Sequence, residues 1–268
     1  MTVFRRFLAD RTRTDLWWAL AMLANILLNL AFFPGLKGQT ELDQTMKDLP
    51  PALQAMFGIE EGISIGTAAG YIQAQMFSSV VPILLLILAV AVGSSAIGGS
   101  EDDGSLEFTL SYPVTRRRFV LERFAAVALV VAGHTALLVA IMLVLCPLFG
   151  ALEGVSVAGL IVACLGCGAL ALLHASIAFT AGAWAGRRNP AIIVAAGVAT
   201  LGFVLHGLLS AVDVPSWMHY LTPWYWFLKE NLLAAGPSWL AFVPATVLAM
   251  AVAMLAVPAF ERRDVHGS

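Results

Sequence analysis

Few residues in this chain have the types and spacing that chemistry needs. Cys164-Leu-Gly-Cys167 shows the C-x-x-C spacing that binds zinc or cycles between dithiol and disulfide. No second pair accompanies it. Its neighbours Gly166, Gly168 and Ala169 form a small-residue stretch that lets two helices approach closely, and close packing is the favoured reading over metal or redox use. Cys146 stands alone, and no structural disulfide is implied. His134, His174 and His206 each lie inside a long apolar run, where an imidazole either carries protons or hydrogen-bonds between helices. On different helices and without an acidic partner, they read as hydrogen-bonding glue. A place on a substrate or proton path is the alternative. No H-E-x-x-H pair is present, so zinc-hydrolase chemistry of that kind has no support. A P-loop needs G-x-x-x-x-G-K-[ST], because its lysine reaches the phosphates and its hydroxyl ligates magnesium. The only lysines, Lys37, Lys47 and Lys229, are followed by Gly, Asp and Glu. The chain has no ATPase site of its own.

The elements that would hold these residues are membrane helices. Of the 268 residues 60 % are apolar and only 12 % charged, and the mean hydropathy is +0.86. Soluble domains carry roughly 25 % charged residues. The apolar residues fall in runs at 16–36, 74–98, 121–149, 157–185, 190–212 and 238–259. A spanning helix needs about 20 such residues, so six spans are expected. The first run follows Arg5, Arg6, Arg11 and Arg13 but also Asp10 and Asp15, and it ends in Phe-Phe-Pro-Gly without a cleavage pattern. It reads as a retained helix rather than a signal peptide.

Net charge (−2) says little here; its distribution says more. With both termini in the cytoplasm, the inner segments hold Arg5, Arg6, Arg11, Arg13, Arg116, Arg117, Arg118, Arg123, Arg187, Arg188, Arg262 and Arg263. The outer ones hold Lys37, Lys47 and Lys229. Every arginine lies inside and every lysine outside, as the positive-inside rule requires. Trp17, Trp18 and Trp184 then sit at inner helix ends, and Trp217, Trp224, Trp226 and Trp239 at the outer boundary. The expected location is the plasma membrane.

Three stretches lie outside the spans. Residues 1–15 place Phe4, Phe7 and Leu8 on one face, which suits a short amphipathic helix in the inner interface. The outer stretch 37–73 is broken by Pro50, Pro51, Gly58, Gly62, Gly66 and Gly70, and reads as a small cap. The outer stretch 213–237 is too apolar for a solvated loop and too rich in proline for a span. A re-entrant or interfacial hairpin covered by protein fits it. Asn25 and Asn29, one turn apart on the first span, could hydrogen-bond across a dimer interface or line a translocation path, and both readings stay open. Gln73 and Gln75 are expected to face an outer vestibule or solvent.

The inner loop 99–120 carries the most information. Ser100 before Glu101, Asp102 and Asp103 looks like an N-cap with acids on the first turn. Leu106 and Leu110 share a face, Pro113 stops the helix, and Thr115 caps the next one. Three arginines suited to lipid phosphates follow, Arg116, Arg117 and Arg118. The result is a short helix along the membrane, acidic at one end and apolar on one side: a docking surface for a cytoplasmic partner.

The segment from Glu101 to Arg116 closely resembles the loop between the second and third helices of ABC-2 type transporter permeases. In that family an acidic cluster, Gly-Thr/Ser-Leu-Glu, a short helix and Pro-Val-Ser/Thr-Arg recur. The likeness extends to Leu49–Gly58, Gly70-Tyr71, Leu221-Thr-Pro-Trp-Tyr225 and the Phe260-Glu-Arg-Arg-Asp264 tail. Phe108-Thr109 departs from it, since leucines are commoner there. The resemblance implies an all-α integral membrane protein, one permease domain over residues 1–268. It would have six transmembrane helices, an N-terminal connecting helix, a cytoplasmic coupling helix and short external helices. It implies that Glu101, Asp102, Asp103, Leu106, Glu107, Phe108 and Leu110 couple to the ATPase, with Leu106, Phe108 and Leu110 giving the apolar contact. The implied partners are two copies of an ABC ATP-binding subunit, a second permease subunit and membrane lipids; nucleic acid is not among them. ATP and Mg would bind the partner, and no cofactor this chain. An ion-coupled transporter is the main rival. It generally uses acids or bases at membrane depth, and no Asp, Glu, Lys or Arg falls in the middle of an assigned span.

Overall fold

Without water in the bilayer core a backbone must satisfy its own hydrogen bonds, and long apolar runs do so as helices. The computed structural model describes residues 3–38, 48–50, 64, 66–110, 114–212, 214–228 and 232–263. Among these, six helices are long and apolar enough to cross a membrane. They are α1 (Val3–Leu36), α2 (Ala68–Asp102), α4 (Arg116–Leu148), α5 (Val157–Ala185), α6 (Arg188–Ala211) and α10 (Trp239–Arg262). Short helices connect them: α3 (Ser105–Leu110) between α2 and α4, and α7 (Ser216–His219), α8 (Pro223–Leu228) and α9 (Leu232–Ala235) between α6 and α10.

The N-terminal segment is not a separate interfacial helix. Residues from Val3 onward continue unbroken into the first span. No glycine or proline separates Phe7 from Trp17, and Val3 and Phe7 are buried against the bundle. The second span also starts earlier than its apolar run. Thr67 accepts a hydrogen bond from the Gly70 N–H and caps α2, so Gln73 is buried while Gln75 is exposed. Two stretches of α2, Ile72–Val80 and Ser95–Gly99, are wound as π-helix. Such widened turns are rare and concentrate at functional sites.

The hub is α5, which packs against α2, α4, α6 and α10. Its small residues make that possible. A Cβ on Gly168 would lie 2.5 Å from the Thr135 methyl of α4, and one on Gly166 would lie 2.8 Å from the Phe227 Cβ of α8. The C-x-x-C cysteines, fully buried here, belong to this packing surface. By contrast α1, α6 and α10 leave broad apolar faces exposed, including Leu20, Leu27, Ile193, Leu201 and Val247.

The segment after α6 packs one face on the bundle. Trp224, Phe227, Leu232 and Leu233 are buried, and the Ser156 N–H donates to the Leu233 carbonyl at 2.7 Å. Trp217 and Trp239 are exposed as boundary anchors would be; Trp224 is not, its ring centred 4.9 Å from that of Phe203. At this same end Lys37 and Glu153 join α1 to the turn before α5. The hydrogen bond from Lys37, with its charge, holds the Glu153 carboxyl below its ordinary value.

Candidate functional site

At the arginine-rich end the chain elbows from α2 through α3 into α4. Ser100 is buried in the last turn of α2 and caps nothing; Asp103 holds the cap instead, its Oδ1 accepting from the Ser105 N–H at 2.9 Å. Gly104, with φ +72°, turns the corner between them, a conformation L side chains avoid. The Ser105 hydroxyl reaches back to the Ser100 carbonyl at 3.3 Å. As expected, Thr115 caps α4, accepting from the Arg118 N–H.

The acids of the elbow are engaged within the protein. Asp102 Oδ2 accepts from the Arg188 N–H at 2.8 Å and so caps α6 from outside, where Arg187 supplies no side-chain cap. Glu101 is ion-paired with Arg263, both side chains less than a fifth exposed. Gly186, in the turn between α5 and α6, leaves room for that pair. A Cβ there would fall 2.1 Å from Arg263 Nη1 and 2.8 Å from Glu101 Oε1, and φ is +66°.

Arg116 grips the end of α10. Its Nη1 donates to the carbonyls of Phe260 at 3.4 Å, Glu261 at 3.3 Å and Arg263 at 2.6 Å. These are carbonyls that a helix C-terminus leaves without partners, and a cation there also suits the helix dipole. The Phe260 ring stacks on Phe119 at 5.5 Å and carries the Arg116 and Arg263 guanidinium groups over it. The first helix joins this end as well. The Phe4 N–H donates to Glu122 at 3.2 Å, Arg11 Nη1 to the Ser95 hydroxyl at 3.3 Å, and Arg123 lies over the Phe7 ring at 4.9 Å. Arg118 closes the set on Glu122 at 2.8 Å. Of the three arginines expected at lipid phosphates, Arg116 is thus engaged by the end of α10, while Arg117 and the ion-paired Arg118 stay exposed.

The elbow residues therefore divide. Glu101, Asp102 and Asp103 hold it in place. Leu106 is 1 % exposed, which corrects the expectation that it faces a partner: it anchors α3 to the bundle. Glu107 is exposed. The side chains of Phe108 and Leu110, and Pro113 altogether, lie outside the described residues. The sequence reading missed the tail's part, although Arg263 three residues beyond Phe260 carried the signal of a cation closing a helix. It also missed the burial of Arg123, whose spacing from Phe119 by one turn was the available clue.

The polar residues of the spans are scattered. His134 Nδ1 contacts the Val130 carbonyl at 2.9 Å and Nε2 the Asp15 carbonyl at 3.4 Å, joining α4 to α1. His174 contacts the Leu170 carbonyl of its own helix at 2.8 Å, and His206 faces the Tyr225 ring at 6.3 Å. Asn29 Nδ2 donates to the Asn25 carbonyl at 2.9 Å, and the Asn29 carbonyl accepts from the Tyr71 hydroxyl at 2.7 Å. The link from α1 to α2 is thus made by the Asn29 main-chain carbonyl, while the Asn29 amide bonds to Asn25 within α1. Among the described residues no three His, Cys, Asp or Glu side chains gather as a metal site would require. An apolar groove of about 510 Å³ runs between α2 and α6, walled by Leu86, Val90, Ala196 and Phe203 and closed by Trp224.

A helical bundle of six apolar spans, elbowed at one end, is a multi-pass membrane protein. The family described as ABC-2 family transporter protein matches residues 1–265, and the chain belongs to that family, as its transmembrane permease component. No curated protein is significantly similar to it.

Proposed function

We propose that this permease is half of an ATP-driven exporter in the plasma membrane. Two such subunits, identical or paralogous, pair, and each seats its elbow on a separate ATP-binding subunit that carries the ATP and Mg. Both termini are cytoplasmic in this reading, because that places every arginine inside. ATP binding closes the motor dimer, and the elbow passes the motion to the spans as a rigid body. One observation carries the reading: the elbow is tied by charge-assisted bonds to the start of α6 and the end of α10. A push on α3 would therefore move α2, α6 and α10 together rather than bend a loose loop. The groove between α2 and α6 is lined almost wholly by apolar groups, which suits an amphipathic or hydrophobic substrate such as a lipid, a drug or a lipophilic peptide.

The test is what accompanies the chain in mild detergent. The expected result is an ATP-binding subunit in equal number with the permease, lost when the exposed Glu107 is replaced by Arg. A chain that transports in membranes yet is recovered without any nucleotide-binding partner overturns the reading.

A further inference from the structure

One cavity lies beside the elbow, reached by Arg263. About 820 Å³ in volume, it sits between α5, α6 and α10 at the arginine-rich end, walled by Ile177, Val194, Val252 and Leu255. That is within the roughly 300–1,000 Å³ of clefts that hold small ligands. Its origin is local. Regular α10 is interrupted at Leu255, three residues before Pro258, which has no N–H to give the preceding turn. The Thr180 hydroxyl donates to the Val252 carbonyl at 2.9 Å and pins the two helices above the gap.

The mouth of the cavity is cationic and aromatic. Arg262 is exposed there with no ion-pair partner among the described residues, and Trp184 beside it is 71 % exposed. Arg263 lines the same edge with its charge balanced by Glu101. Other acids of this end include the exposed Glu261, Asp103 and Glu107; Asp102, which holds the Arg188 N–H; and Glu122, which holds Arg118. None of these acids lines the cavity. An apolar slot at membrane depth, ending in an arginine without an ion-pair partner among the described residues and in an interfacial tryptophan, has the polarity of one phospholipid.

We propose that this cavity is a binding site for a single anionic glycerophospholipid. Its phosphate rests on Arg262, and an acyl chain lies along Val194, Val252 and Leu255. The site borders the elbow through Arg263, is distinct from the groove between α2 and α6, and requires only that the chain spans a bilayer. The acyl chain fills the gap that the interrupted helix leaves, so the lipid wedges α10 against α5.

The experiment is native mass spectrometry of the purified transporter, with titration of an anionic or a zwitterionic phospholipid of the same chains. One anionic lipid is expected to be retained in preference to the zwitterionic one. Arg262→Gln should weaken it about fivefold, the effect of one basic residue near a charged lipid surface. Val194→Trp, at a half-exposed position on the wall, should abolish retention without lowering insertion. Arg117→Gln, on the far side of the elbow, should leave it unchanged. Equal retention of both lipids overturns the proposal, as does an equal loss from Arg117→Gln, which would mean diffuse surface charge. Competition by inorganic phosphate alone would reduce the site to a free anion's and also overturns it. So does a Val194→Trp variant that keeps its lipid but no longer pairs with a second copy, since the cavity would then be a protein interface.

Discussion

Glu101 and Arg263 lie 162 positions apart, and no pattern in the chain announces their pairing. Sequence reading saw each as a free inner charge, the acid for docking and the base for orientation. Only the fold, through the tight turn at Gly186, brings them together. The pair is mostly buried, so removing one member leaves the other poorly solvated. Glu101→Gln and Arg263→Gln should each lower thermal stability by about 1.5–3 kcal/mol, as for hydrogen bonds to charged groups. The double variant should lose less than the sum, because the second change removes a group already orphaned. Additive losses in thermal unfolding would show that the two act through separate partners. Leu106 and Glu107 separate the anchoring face of α3 from its outward face. Leu106→Ala, a buried truncation of the kind that costs about 2–5 kcal/mol, should loosen the elbow and reduce transport-linked ATP hydrolysis while the partner still binds. Glu107→Arg should do the reverse, releasing the partner with the bundle's melting unchanged. If both variants lose the partner alike, α3 is not divided in this way.

At the scale of elements, the six spans were legible because each is a run of apolar residues long enough to cross a bilayer, and that signal needs no tertiary information. The caps followed the same rule: Thr115 sits where a hydroxyl precedes a helix, and α4 begins there. What failed was local acid chemistry without its context. Ser100 and three acids look like a helix start, yet α2 runs through them, because the π-wound Ser95–Gly99 stretch packs Gly98 directly on the Arg187 backbone. Neither the π-turns nor such contacts have a sequence period of their own. Close contacts do leave glycines, and these predict which substitutions matter. A Cβ on Gly93 would lie 2.3 Å from the Ala175 carbonyl, so Gly93→Ala must push α2 away from the hub helix α5. On Gly197 the added methyl meets open space. The first variant should melt markedly lower and the second should not, its helix gaining by as much as about 1 kcal/mol. Equal melting of the two would mean that the α2–α5 contact yields freely.

The whole molecule has two unlike ends, and the proposed orientation puts the arginine-rich one in the cytoplasm. The arginines lie toward the elbow, and Lys37 lies at the opposite end, paired with Glu153. A single cysteine at Glu153, exposed beside Lys37, should react with an impermeant thiol reagent on intact cells; one at Glu107 should react only after permeabilisation. Background is low, since Cys146, Cys164 and Cys167 are buried. Labelling of position 107 from outside would invert the topology. The source of energy is the deeper question at this scale. An ion-coupled carrier needs titratable groups that change partners at membrane depth. Here the intramembrane imidazoles at positions 134 and 174 contact backbone carbonyls, and the buried arginine nearest the spans, Arg123, is held over phenylalanine rings at the elbow end. Packing of this kind has little to exchange with a passing ion. In liposomes holding the permease with its ATP-binding partner, transport should proceed without any ion gradient, require ATP, and stop when the partner's phosphate-binding lysine is replaced. Replacing His134, His174 and His206 together by Gln should keep substantial activity, because Gln hydrogen-bonds but does not titrate near neutral pH. Transport that persists without ATP, or that a protonophore abolishes at constant ATP, would place the chain among secondary carriers. Full loss in the triple variant, with insertion and partner binding intact, would instead place the histidines on the substrate's path.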